Sequence, residues 1–192
     1  MALKIILAST SPRRKELLQK IGVKFQIEAS DYEENMELKL PPHVLAKKLS
    51  RGKAETVAKK HKNAIIIAAD TIVVLGQEIL GKPRSPKNAK EMLKKLSGKT
   101  NLVITGFTVI NTKTNKIISK SIETKVHMKK LSPKIISAYV KSKEPLDKAG
   151  SYAIQGLGSI LINKIEGDYS NVIGLPLSPL VETLKKFGVK VL

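Results

Sequence analysis

The run from Ala64 to Leu75 constrains this chain more than any other stretch. It is apolar and largely β-branched, with no proline and no glycine before Gly76. Such a run predicts a strand buried on both faces, as at the middle of an α/β sheet. Asp70 and Thr71 interrupt it. An uncompensated carboxylate there would cost several kcal/mol, so a strand that continues through Asp70 needs a cation, a metal or hydrogen-bond donors beside it. The alternative is that the strand breaks at Asp70 and the Asp-Thr pair caps a turn.

The 192 residues suffice for one domain, 1–192, built as a single core or two small lobes. Without cysteine, disulfides and thiolate metal sites are excluded. The N-terminal apolar stretch is too short for a secretion signal, and no apolar run reaches membrane-span length. A cytoplasmic protein with no membrane association is expected. The net charge of +19 favours polyanions. Its lysines are spread along the whole chain, however, and aromatic residues make up only 4%, with no tryptophan to stack bases. A nucleic-acid partner is therefore disfavoured, although a polyphosphate substrate would still feel the field. The lysine-rich, cysteine-free composition also suits a heat-adapted or AT-rich source.

Read in order, Lys4 to Ala8 is a short strand running into a polar turn and a helix. Ser11 is its expected N-cap and Pro12 its first residue, with Leu17, Leu18 and Ile21 facing the core. This strand–turn–helix geometry presents backbone N–H groups to an anion. Arg13 and Arg14 occupy the first turn, where the dipole disfavours cations, and are two of only four arginines. They read either as a bidentate phosphate or carboxylate clamp or as a solvated basic turn. A second strand is expected from Val23 to Ala29, then an acidic patch, then a helix from His43 to His61. Gly76-Gln77 predicts a hairpin, Pro86 opens a helix ending at Ser97-Gly98, and strands follow at Asn101–Asn111 and Ile117–Met128. Ser132-Pro133 opens a further helix with Ile135, Ile136, Tyr139 and Val140 on one face. After a glycine-rich loop from Pro145 to Gly158, a strand is expected at Ile160–Ile165, a turn at Gly167–Asn171 and a last helix at Leu177–Phe187.

No nucleophile elbow, zinc-type His-Glu spacing or phosphate loop is present. His43, His61 and His127 are expected to be structural. What remains is a set of polar groups at strand ends and turns: Ser9, Arg13, Arg14, Glu34, Lys53, Asp70, Thr71, Lys82, Asp147 and Gln155. Carboxylates with scattered lysine and arginine suit metal-assisted attack on a phosphate.

Five blocks of the chain resemble successive motifs of the Maf family. They are Leu7–Leu18, Ala69–Val73, Gly81–Pro83, Pro145–Gly156 and Gly174–Pro176, in family order from Leu7 onward. The resemblance implies a nucleoside triphosphate pyrophosphatase cleaving between the α- and β-phosphates, with a divalent cation, Mg²⁺ or Mn²⁺. It also implies an α/β fold similar to inosine triphosphate pyrophosphatases: a central mixed, twisted sheet with flanking helices, and two lobes around a cleft. A homodimer is implied as well. By position, Asp70 matches the proton acceptor. Arg13, Thr71 and Gln155 match the positions tied to base preference and carry the types of the dTTP/UTP branch. Glu34 aligns with an acidic metal ligand together with Asp70, and Glu33 is its adjacent alternative. Lys53 and Lys82 match basic positions at the triphosphate, and Ser9 and Arg14 are expected to bind substrate beside them. Tyr32 and Gly52 depart from the family pattern, which often has valine and glutamate there. The competing expectations are a preference for 7-methyl-GTP or inosine triphosphate, or a nucleic-acid-binding or septum-formation role for the basic surface.

Overall fold

The computed structural model describes residues 3–33 and 38–191. Its central element is β3, which runs unbroken from Ala64 to Leu75 and carries Asp70 within it. The strand therefore does not stop at the carboxylate. β1 (Lys4–Leu7) lies parallel to β3, with Leu7 opposite Ile67, and on its other side pairs in parallel with β2 (Gln26–Ile27). β4 (Glu78–Leu80) returns antiparallel on the far end of β3, giving the hairpin expected at Gly76. With β5 (Thr100–Asn111), β6 (Lys116–Met128) and β7 (Ile162–Glu166), these strands form one mixed seven-stranded sheet in the order β2-β1-β3-β5-β6-β7, with β4 attached to β3.

The helices are α1 (Pro12–Lys20), α2 (Pro42–Ala58), α3 (Pro86–Leu96), α4 (Pro133–Lys141), α5 (Tyr169–Ile173) and α6 (Leu177–Lys185). The chain divides into two compact units. One holds Met1–Asp70, Thr105–Ile122 and Gly174–Leu192; the other holds Thr71–Ile104 and Glu123–Ile173.

In the first unit, α2 packs on one face of the sheet. Ala54 and Val57 meet Ala64, Ile66 and Ala68 of β3, Ile6 of β1 and Ile110 of β5. Strand side chains alternate in direction, so Asp70 belongs to this same even-numbered face. Helix and strand come unusually close at Gly106 of β5. A Cβ there would lie 2.2 Å from the Ala46 carbonyl oxygen of α2. Beside that contact, Ser50 Oγ and Thr108 Oγ1 share a buried hydrogen bond of 2.9 Å.

The second unit has its own core, where Ala89, Leu93 and Leu96 of α3 and Ile136, Tyr139 and Val140 of α4 meet Val103, Val126 and Tyr152. Ile135, expected on that face, is exposed instead. Several local expectations are corrected. β2 is only two residues long. The segment Gly156–Leu161 is a 3₁₀ turn, so β7 begins at Ile162. The expected turn at Gly167–Asn171 gives way to α5, because Asp168 Oδ1 accepts the N–H groups of Ser170 and Asn171 and caps it. The three histidines have partners: His43 with Ser121, His61 with Glu28, and His127 with Thr100.

Candidate active site

Ser9 lies two residues past the end of β1 and is buried. The backbone ties this exit to the neighbouring strand, since the Ala8 N–H donates to the Ile67 carbonyl at 2.7 Å. Carboxyl ends of parallel strands are where open α/β sheets present ligand sites. Ser11 does not cap α1 through its side chain. Ser9 organises the turn instead, its Oγ accepting the Ser11 N–H at 3.2 Å and Arg14 Nη1 at 3.4 Å. Arg14 Nε donates to the Gly174 carbonyl at 2.9 Å. The guanidinium is thus oriented by acceptors from two distant segments, the pre-organisation that planar anion recognition requires. Gly174 has no functional reading in the sequence beyond its motif. Its φ of 122° is one that only glycine adopts readily. Arg13 sits half-buried in the same first turn.

Lys53 projects from α2 onto the β3 face and donates from Nζ to Asp70 Oδ1, forming an ion pair. Their side chains are only 14% and 8% exposed. The ammonium supplies the compensation that a carboxylate in this strand demands. It also gives Lys53 a partner that the spacing in sequence does not reveal. Next to it, the Tyr32 ring lies where any side chain at Gly52 would go: a Cβ would stand 2.3 Å from the ring. The two departures from the family pattern therefore touch each other. This contact anchors the chain just ahead of Glu33, which is exposed. Glu34 lies outside the described residues.

In the second unit, Thr71 is half-buried and Lys82 exposed. The Gly81 carbonyl accepts the Gly150 N–H at 3.0 Å, tying the Lys82 segment to the glycine-rich loop. Gly150, at φ +67°, packs on Val73. Gln155 is half-buried and extended at the entrance to the 3₁₀ turn. Asp147 is largely exposed and paired with Lys148.

Among the described residues no group of three or more His, Asp or Glu side chains is placed to hold a metal. Magnesium-type cations need less than that. They are commonly bound by one or two carboxylates, with substrate phosphates completing the shell. Asp70 provides a hard oxygen donor of the right kind. Likewise among the described residues, no helix is long and apolar enough to cross a membrane.

The family model described as Maf-like protein matches residues 4–187. The chain belongs to the Maf family. Maf relatives are similar over nearly the whole length. The dTTP/UTP pyrophosphatase of Methanosarcina mazei is 50% identical over 189 residues, 98% of this chain and 96% of its own. That of Methanosarcina barkeri is 51% identical, covering 97% and 95%. A third, from Thermoanaerobacter sp. strain X514, is 48% identical over 99% of this chain and 100% of its own. Among solved structures, the Ham1 protein of Staphylococcus aureus shares the fold, with a TM-score of 0.52 at 14% identity. It covers 83% of this chain and 79% of its own. Asp70, in the second of the blocks that resemble Maf motifs, lies within β3.

Proposed function

We propose that the chain, working as one catalytic domain over 1–192, hydrolyses dTTP and UTP to the nucleoside monophosphate and pyrophosphate. The observation that carries the reading is the buried Asp70 carboxylate, held by Lys53 on the central strand. The relatives named dTTP/UTP pyrophosphatase support it, at about half identity over nearly the full chain.

In this reading Asp70 accepts a proton from water as the oxygen attacks the α-phosphorus. The bond from that phosphorus to the bridging oxygen breaks, and pyrophosphate leaves with the electron pair. Lys53 keeps the base aimed along one direction. Arg14, fixed by Ser9 and Gly174, takes phosphate oxygens together with Arg13 and Lys82. Arg13, Thr71 and Gln155 set the preference for the pyrimidine base. Asp70, with Glu34 or Glu33, would hold Mg²⁺ or Mn²⁺, which neutralises charge on the phosphates when bound. The enzyme acts on free nucleotides in the cytoplasm, as a homodimer.

The test is Asp70→Asn, assayed by pyrophosphate release alongside nucleotide binding. Binding is expected to persist while kcat falls at least ~10²-fold, the usual contribution of a general base. Wild-type turnover in that variant would remove Asp70 from the chemistry.

A further inference from the structure

The loop that carries Gln155 is fastened from within by two side chains for which the proposed chemistry has no use. Tyr139, on α4 and almost wholly buried, accepts the Ala153 N–H on its hydroxyl oxygen at 3.2 Å. The same hydroxyl donates to Glu144 Oε1 at 3.0 Å. Glu144 Oε1 also accepts the Gly158 N–H at 2.9 Å, and its Oε2 accepts the Leu157 N–H at 3.0 Å. Amides on both sides of Gln155 therefore end on one tyrosine–glutamate pair.

The glycines of the loop are cut to this arrangement. A Cβ at Gly158 would lie 2.3 Å from the Ala153 carbonyl oxygen and 2.6 Å from the Tyr139 hydroxyl. One at Gly156, where φ is +67°, would lie 2.7 Å from Glu144 Oε2. Gln155, between the fastened points, has extended backbone with φ −101° and ψ 162°. Burial and the neighbouring Glu144 push the Tyr139 phenol far above its ordinary range, so it remains a donor throughout the working pH. Hydrogen bonds to a carboxylate are roughly twice as strong as neutral ones. The loop is thus held by charge where a sequence of this glycine content would otherwise be loose.

We infer that Glu144 and Tyr139 are positioning residues for base selection, holding the Gln155 backbone so that its side-chain amide meets the pyrimidine in one orientation. The inference rests on the reading that Gln155 contributes to base preference. Neither residue takes part in the proton transfer, so their loss should act on recognition rather than on bond breaking.

The experiment compares Glu144→Gln, Tyr139→Phe and Gln155→Ala. It measures kcat and KM for dTTP and dATP, and hydrogen exchange at the Leu157 and Gly158 amides. Glu144→Gln is expected to raise KM for dTTP about tenfold, with kcat changed less than about threefold. The preference for dTTP over dATP should fall by a similar factor, and the two amides should exchange faster. Tyr139→Phe should move the same quantities in the same direction and serves if Glu144→Gln does not fold. An unchanged preference in a folded variant whose amides exchange faster overturns the inference. So does a kcat loss equal for both nucleotides. Gln155→Ala separates the two levels. If it lowers the preference and the other variants do not, only the positioning role fails. If it leaves the preference intact, the reading of Gln155 fails and the inference falls with it.

Discussion

Replacing Gly106 with alanine tests whether helix packing in the first unit controls the chemistry at Asp70. The added Cβ would stand 2.2 Å from the Ala46 carbonyl oxygen, 2.3 Å from its carbon and 2.6 Å from the Lys47 nitrogen. All three are backbone atoms of α2, so no side chain can swing aside. Relief to ordinary van der Waals distance requires α2 and β5 to separate by roughly 1 Å, an overpacking that costs about 3 kcal/mol. At this chain length each kcal/mol lowers Tm by about 2–4 °C, so a drop of roughly 6–12 °C is expected by calorimetry. The same movement strains the Ser50–Thr108 hydrogen bond and draws Lys53 away from Asp70, because Ser50 and Lys53 both lie on α2 beyond the contact. A 1 Å misplacement of a catalytic group can cost about 10²-fold in rate. Gly76→Ala is the control, since a Cβ there meets nothing within 4 Å and only the φ of +60° is strained. It should cost about 1–2 kcal/mol and leave activity alone. A Gly106→Ala variant as stable and as active as the parent would refute the argument that α2 is held against β5 at this point.

Lys53→Met is expected to destabilise the fold by about 3 kcal/mol, the penalty of withdrawing one partner from a buried pair. Combining it with Asp70→Asn should recover part of that loss, and strictly additive denaturation midpoints would contradict a direct pairing. The tyrosines give a pH dependence. Burial pushes the Tyr152 phenol far above its ordinary value of 10.0, so the folded chain keeps a proton that the unfolded chain releases. Stability from this group is complete below pH 10 and declines above it, by about 1 kcal/mol at pH 11. Tyr152→Phe, which loses a 2.7 Å hydrogen bond to Asn101, should therefore be more damaging at pH 8 than at pH 11. Equal denaturant midpoint shifts at the two pH values would count against it.

How much of this was legible from residues alone depends on the range of the interaction concerned. The Ala64–Leu75 run declared itself through local composition, whereas its two readings at Asp70 are separated only by the strand's continuing through that residue. Helix starts at Pro12, Pro86 and Pro133 were equally readable, because proline at the first turn acts locally. The partner of Asp70 was not readable. Lys53 meets it only through the packing of α2 across β3, a register no spacing rule encodes. The 3₁₀ turn at Gly156–Leu161 escaped for the same reason: Ile160 and Leu161 look like strand residues, while Glu144, well upstream, captures the amides that open the turn. The Gly167–Asn171 sequence reads as a turn, yet Asp is a strong cap and the Asp168 carboxylate starts α5. Gly106, inside an apolar strand, was itself a signal of close backbone approach, but the approaching element was unspecified.

The most direct test of the central claim is hydrolysis of dTTP, UTP, dATP, inosine triphosphate and 7-methyl-GTP with Mg²⁺ or Mn²⁺, following both phosphate products. The account predicts pyrophosphate released in equal amount with the monophosphate. It also predicts kcat/KM for dTTP and UTP at least about tenfold above the others, as a hydrogen-bonding base site should give. Preference for 7-methyl-GTP or inosine triphosphate, release of orthophosphate, or no turnover beside tight salt-sensitive nucleic-acid binding would contradict it.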